Sequence, residues 1–348
     1  MNIRQFFAEL FPPLLESVLA AAVGFIVAGV VLAALGFDPI LAYGALLTGS
    51  IGSLEEISVT LGNATPIILT ALAFAVGVRA GIFNIGAEGQ VYVGGAAALS
   101  VAFLPLPGGV QLAVSVIVAG LAGALWSLPA FALKAYRGVN EVISTIMLNW
   151  IGYFFILYVA GNLLVGPLGQ ETTISAPAAM RFPILFGNLH FTTAIFFSMF
   201  AAFAFYAYLW RTPSGYEMRA VGLNPEAARF GGISPRKILL YSFALGGVAS
   251  GGAGAVQVLG RQPPFAMYTD LGNVINMGFN GIGVALIGRN HPIAILASGL
   301  FFGALQTGVT NVQLFAHVPF EMVQMIEGII IIAIAAPEVF RKLVRRKR

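Results

Sequence analysis

The 348-residue chain contains no cysteine, which excludes disulfides, iron–sulfur clusters and thiolate metal sites. Charge is scarce too: Asp, Glu, Lys and Arg make up 9% of residues, too few to coat a water-soluble globule. Three histidines, His190, His291 and His317, stand apart with no i, i+4 pair, so no metal site is suggested. None of the four lysines follows a glycine, so the phosphate-cradling G-x-x-x-x-G-K-[ST] loop is missing and the chain does not hold a nucleotide by that route. A membrane-embedded enzyme would need acids or histidines converging at one depth. Glu88 and Glu327 are isolated, and no catalytic residue is expected.

Hydrophobic residues supply what charge does not. They reach 58%, with mean hydropathy +0.90, and apolar stretches of about 20 residues recur, the length that crosses a hydrocarbon core of roughly 30 Å. The fold class expected is an all-α polytopic membrane protein, a single transmembrane domain over 1–348. The 42 glycines suit it, because small side chains let helix backbones approach in lipid. The net charge of +4 is no sign of nucleic-acid binding, since six basic residues crowd into Arg341 to Arg348, where anionic lipid is the natural partner.

Taken in order, the apolar runs suggest about ten spans: Leu14 to Leu35, Asn63 to Val78, Gly81 to Leu104, Val110 to Leu133, Val142 to Gly161, His190 to Trp210, Ile238 to Leu259, Asn273 to Gly288, Pro292 to Val312 and Met322 to Pro337. The mixed stretch Phe37 to Gly62 reads as an amphipathic or re-entrant piece. In the seventh span Gly246, Ser250 and Gly254 offer small-xxx-small spacing. With both termini in the cytoplasm, 16 Lys or Arg fall inside and two, Arg181 and Arg261, outside, as the positive-inside rule requires.

Between the sixth and seventh spans lies the longest strongly hydrophilic insert, 211–237, a cytoplasmic loop on this topology; residues 338–348 form a basic cytoplasmic tail. Within the insert, Asn224-Pro225-Glu226 reads as a helix start, PEAARF as a short helix across the membrane face, and Gly231-Gly232 as its end. Glu226-Ala227-Ala228 followed at the proper interval by Gly232 matches the EAA-x-x-x-G loop of bacterial ABC importer permeases. The later Ile-x-Leu-Pro part of that pattern is missing, which sets the chain outside its best-known branch.

Two further segments carry polar groups into apolar surroundings. GIFNIGAEGQ holds Asn84, Glu88 and Gln90. A charge near a helix centre costs roughly 2.5–3.5 kcal/mol, so such clusters face an interior or a water-filled path; the plainer alternative pairs Glu88 with Arg79 at the interface. GFNGIGVALIGRNHP, Gly278 to Pro292, looks like a broken helix with Asn280 near its bend. With Asn273 and Asn276 it either presents amides to a neutral solute or bonds backbone at a kink. Asn149, Gln324 and Glu327 are weaker candidates, better suited to helix packing.

In this order and spacing, GIFNIGAEGQ, RAVGLNPEAARFGGI and GIGVALIGRNHP resemble the permease subunits of the ribose and nucleoside group of ABC importers, in particular the larger permease of bacterial nucleoside systems. The resemblance covers nearly everything from Leu61 onward. It implies a bacterial inner-membrane protein with no cofactor of its own, working with a second permease, a cytoplasmic ATPase that binds the ATP, and a substrate-binding lipoprotein outside. Glu226, Ala227, Ala228 and Gly232 would be the coupling segment, with Gly215, Arg219, Asn224 and Arg229 beside them. Few charges lie within the spans, which suits a neutral solute such as a nucleoside, with a simple sugar as the alternative. A stand-alone secondary transporter is the rival from another class, but it needs no basic insert of this kind.

Overall fold

Helices form every regular element among the described residues, 21–185, 191–261 and 264–335 of the computed structural model. In order they are α1 (Ala21–Ala34), α2 (Pro39–Ile51), α3 (Leu54–Arg79), α4 (Ala87–Ser100), α5 (Gly108–Arg137), α6 (Glu141–Asn162), α7 (Ala194–Arg211), α8 (Pro213–Leu223), α9 (Pro225–Phe230), α10 (Pro235–Gly260), α11 (Met277–Ile287), α12 (Pro292–Ala316) and α13 (Phe320–Ala335). Arg4, the opening residues of the expected first span, the start of the sixth and the basic tail 338–348 lie outside the described residues.

Six of these helices, α3, α5, α6, α7, α10 and α12, are long and apolar enough to cross a membrane. The expected third and eighth spans are shorter than their apolar runs suggested: α4 has 14 residues and α11 has 11, against about 20 for a crossing. The loss in the third is local. Asn84 Oδ1 accepts from Gly86 N–H at 2.9 Å, an Asx turn that keeps the chain non-helical until Ala87. The stretch from Phe37 to Gly62, expected as one mixed piece, is instead all of α2 and the opening of α3.

The chain divides into two compact units, Met1–Ile57 with Ala304–Arg348, and Ser58–Gly303. In the first, Asp38 starts α2 by accepting from Ile40 and Leu41 N–H at 2.8 and 3.2 Å, with Pro39 in the first turn. Tyr43 donates to the Phe25 carbonyl and meets the Phe25 ring edge-on, joining α1 to α2, while Gly49 lets α2 lie against Asn311 of α12.

In the second unit α10 is the central element, packed on α4 and α5. The close approaches are made by Gly247, Gly251 and Gly254. A Cβ on Gly251 would overlap the Ala119 carbonyl of α5, and one on Gly254 the Val91 carbonyl of α4. The Gly246, Ser250 and Gly254 row read from the sequence is therefore displaced: Gly246 has only ordinary contacts, and buried Ser250 Oγ has no hydrogen-bond partner. A helix that touches two neighbours needs small residues on two faces, and a single four-residue period describes one.

Candidate functional site

The hydrophilic insert folds as three consecutive capped helices. Thr212-Pro213, Asn224-Pro225 and Ser234-Pro235 each place a polar side chain at the cap and proline in the first turn. Asn224 Oδ1 accepts from both Glu226 and Ala227 N–H at 3.0 Å. The other end of α9 closes with Ile233 N–H donating to the Ala228 carbonyl and Gly232 N–H to that of Arg229, both at 3.0 Å. This is a Schellman motif, and Gly232, at φ +81°, occupies its left-handed position, where glycine alone carries no penalty. The glycine of the EAA-x-x-x-G pattern thus has a backbone reason for being there.

One face of this hairpin is buried and the other bare. Met218, Val221 and Ala228 enter a single apolar cluster with Val76 of α3, Ala130 of α5, Leu209 of α7 and Ile238 and Phe243 of α10. Gly215 packs against the Tyr208 and Leu209 backbone, and Gly222 against the Arg79 carbonyl and Gly81. On the opposite face Leu223 is 90% and Phe230 94% exposed, beside exposed Tyr216, Glu226, Ala227 and Arg229. Glu226 and Arg229 approach only to 3.9 Å with both side chains in solvent, a pair worth at most about 1 kcal/mol. The buried face thus packs against the ends of four long helices, α3, α5, α7 and α10.

Deeper in the same unit, Glu88 is 2% exposed in the first turn of α4. Its carboxylate accepts from the Tyr92 hydroxyl at 2.6 Å and from the backbone N–H groups of Asn276, Gly278 and Phe279. It caps α11 in place of Asn276, whose own side chain makes no cap bond and whose φ is +66°. Gly278 admits the approach, since a Cβ there would strike Glu88 backbone, and Thr70 of α3 donates to the Met277 carbonyl at 2.9 Å. Glu88 does not pair with Arg79; that guanidinium bonds the carbonyls of Asn290 and Arg289.

The remaining polar residues settle into similar tasks. Asn149 of α6 accepts from Gly89 N–H and donates to the Ile85 carbonyl, both at 2.9 Å, fixing the start of α4. Asn273 bonds Tyr268 N–H and the Ala266 carbonyl. Asn280 is half-buried within α11 and not at a bend; the chain breaks at Asn276 and again at Gly288 to His291. Gln257 of α10 went unnoticed in the sequence, although a lone amide in an apolar helix is its signal. It donates to the Asn273 carbonyl and leaves Oε1 buried without a hydrogen-bond partner, as is Gln90 Oε1. Among the described residues no three His, Asp or Glu are grouped to hold a metal.

Residues 56–335 match the family described as branched-chain amino acid transport system / permease component. The chain is 33% identical over 340 residues to the guanosine ABC transporter permease protein NupP of Bacillus subtilis, covering 96% of this chain and 95% of the relative. It is 32% identical to the nucleoside ABC transporter permease protein NupB of Lactococcus lactis, over 92% of this chain and 90% of the relative. It is also 33% identical to the glucose ABC transporter permease protein TsgB13 of Haloferax volcanii, over 95% and 88%. No solved structure matches.

Proposed function

The chain belongs to the branched-chain amino acid transport system permease family, and on that premise we propose that it is the membrane permease of an ATP-driven importer of nucleosides. As a multi-pass protein of the bacterial inner membrane it forms the translocation path and borrows its energy. A cytoplasmic ATPase docks on α8 and α9, a second permease completes the path, and a binding protein outside delivers the solute. Both termini lie inside, and the spans reach about ten when the shorter helices are included. The ATP stays on the partner, so this subunit catalyses nothing and carries no cofactor.

The observation that carries this reading is the α8–α9 hairpin. It is capped at both ends, keyed into four long helices on one side, and bare on the other at Leu223, Phe230, Glu226 and Arg229. Closure of the ATPase moves it as one body, and the bundle rocks between outward-open and inward-open states. Exchanging the charges, Glu226→Arg with Arg229→Glu, should lower uptake in vesicles while the protein still reaches the membrane. Undiminished uptake removes the coupling role.

For the solute, Asn84, Glu88, Asn149 and Asn273 hold the backbone of the path in place through their own hydrogen bonds, and Gln90, Asn276 and Asn280 are the expected residues left to meet it. The orphan acceptors on Gln90 and Gln257 suit a ligand rich in hydroxyl and N–H donors. A sugar answers the same description, and the likeness to TsgB13 favours that second reading. Uptake of labelled nucleosides against ribose and glucose, in cells with and without this gene, separates them: nucleoside uptake that persists without the gene sinks the first.

A further inference from the structure

The 22 residues of α6 rise about 33 Å, so the helix ends at Asn162 near the edge of a hydrocarbon core of about 30 Å. The flank it turns away from the fold is apolar, with Ile151, Phe154 and Tyr158 exposed at helical spacing. Exposed apolar surface does not stop with the helix. Leu163 and Val165 are exposed while Leu164 between them is buried, the alternation of an extended strand.

The chain then folds back as a short finger. Gly166 N–H donates to the Thr172 carbonyl at 3.1 Å and Ile174 N–H to the Leu164 carbonyl at 2.7 Å. At the tip Gln170 N–H donates to the Pro167 carbonyl at 3.2 Å, with Gly169 third in the turn at φ +86°, where a positive φ is required. Leu168 is second in that turn, at the corner, and its side chain is fully exposed, at 103%. The finger is also fastened to the fold. Thr173 N–H donates to the Met267 carbonyl at 2.8 Å, Thr173 Oγ1 accepts from Met267 N–H at 3.0 Å, and Ala176 N–H donates to the Phe265 carbonyl at 2.8 Å. Backbone bonds therefore hold Leu168 outward. A turn corner that meets water favours proline or a small polar residue, and a leucine there asks for apolar company.

We propose that this finger, residues 163–169, is an interfacial anchor that sets Leu163, Val165 and Leu168 among lipid acyl chains. It lies on the membrane face opposite the α8–α9 hairpin, because membrane-length α7 runs between the two. Lipid is the occupant for three reasons. The finger begins where α6 reaches the edge of the bilayer, and its apolar surface continues the exposed flank of that helix. From Asn162 to Gln170 no side chain is charged, so the ion pairs that steer and orient a soluble protein partner have no footing. Anchored in this way, the finger fixes the level of the 265–269 backbone, which leads into α11, against the membrane surface.

The natural chain has no cysteine, so one introduced thiol reports one position. The full-length chain with Leu168→Cys, carrying a nitroxide label, is placed in phosphatidylcholine nanodiscs. Electron paramagnetic resonance then compares collisions with oxygen, which concentrates in lipid, against those with a water-soluble nickel chelate. Oxygen should dominate for Leu168→Cys and for Val165→Cys, and the chelate for Glu226→Cys on the hairpin. Leu168→Asp removes no packing from the fold, yet it should lower the oxygen-to-chelate ratio of the Val165 label by about tenfold or more, the transfer cost of one buried leucine side chain. A Leu168 label that follows the chelate as Glu226 does overturns the proposal, and the tip then awaits a protein partner. A Val165 label that Leu168→Asp leaves unmoved overturns it too. Because the chain is measured alone and without solute, the result is independent of what it transports and of whether an ATPase docks on the hairpin.

Discussion

Glu88 and Glu226 are the same side chain at the same local position, the first turn of a helix, and they do opposite things. Glu88 is buried and gives its carboxylate to the N-terminus of another helix, while the Glu226 side chain remains 73% exposed with only a loose approach to Arg229. A carboxylate favours any helix N-terminus. Whether it becomes a structural pin or a surface free for a partner depends on what lies within reach. The second unit therefore combines a fixed polar centre, built from α4, α6 and α11, with a hairpin whose outer face is uncommitted.

That contrast breaks most sharply at the pin. Glu88→Ala leaves three backbone N–H groups and the Tyr92 hydroxyl without their acceptor, and at about 1 kcal/mol or more each the loss should reach about 4 kcal/mol. It should be seen as a large fall in detergent melting temperature, whereas Glu226→Ala should melt within about 0.5 kcal/mol of wild type yet transport less. Gly251→Val tests whether the rigidity behind the hairpin comes from backbone contact. The added side chain meets the Ala119 carbonyl and should cost about 1–3 kcal/mol, again read by melting; a neutral result would mean α10 and α5 can part easily.

Smaller effects sharpen the picture of the hairpin. Asn224→Ala removes the cap of α9 and should cost about 1 kcal/mol, visible as faster hydrogen exchange at the Glu226 and Ala227 amides with global melting little changed. The smallest effect expected is in pH. Burial, and secondarily the Arg79 charge, hold His291 below its ordinary pKa of about 6.5, with the Tyr206 and Trp210 rings against it. The unfolded chain then binds the proton more readily, so the contribution of His291 is complete above about pH 6.5 and is lost as pH falls below it toward the lower folded value. Melting at pH 7.5 against 5.5 should show the decline, and His291→Gln should flatten it.

Much of the hairpin was legible in the amino-acid order. Asn224-Pro225 started α9 and the Gly231-Gly232 pair ended it, because capping is settled between residues two to five apart; Thr212-Pro213 and Ser234-Pro235 cap α8 and α10 in the same way, and only the structure pointed to them. Helix lengths were less legible. Apolar runs continued through Gly81 to Gly86 and Asn273 to Asn276, where the backbone turns, and hydropathy does not register a turn that is itself made of apolar and small residues. The position of the break around Asn280 was misplaced for the same reason.

Composition and spacing by themselves determined a helical membrane chain with one large hydrophilic insert, the short capped helix α9 within it and its motif glycine. Only the tertiary structure decided that Glu88 reaches α11 from about 190 positions away, that Gly251 and not Gly246 meets α5, and that Arg79, Arg219 and Arg289 surround one pocket. The physical reason is range. A cap or a turn is made by neighbours whose distance the peptide geometry fixes, whereas partners far apart in the chain meet only through the way whole helices pack.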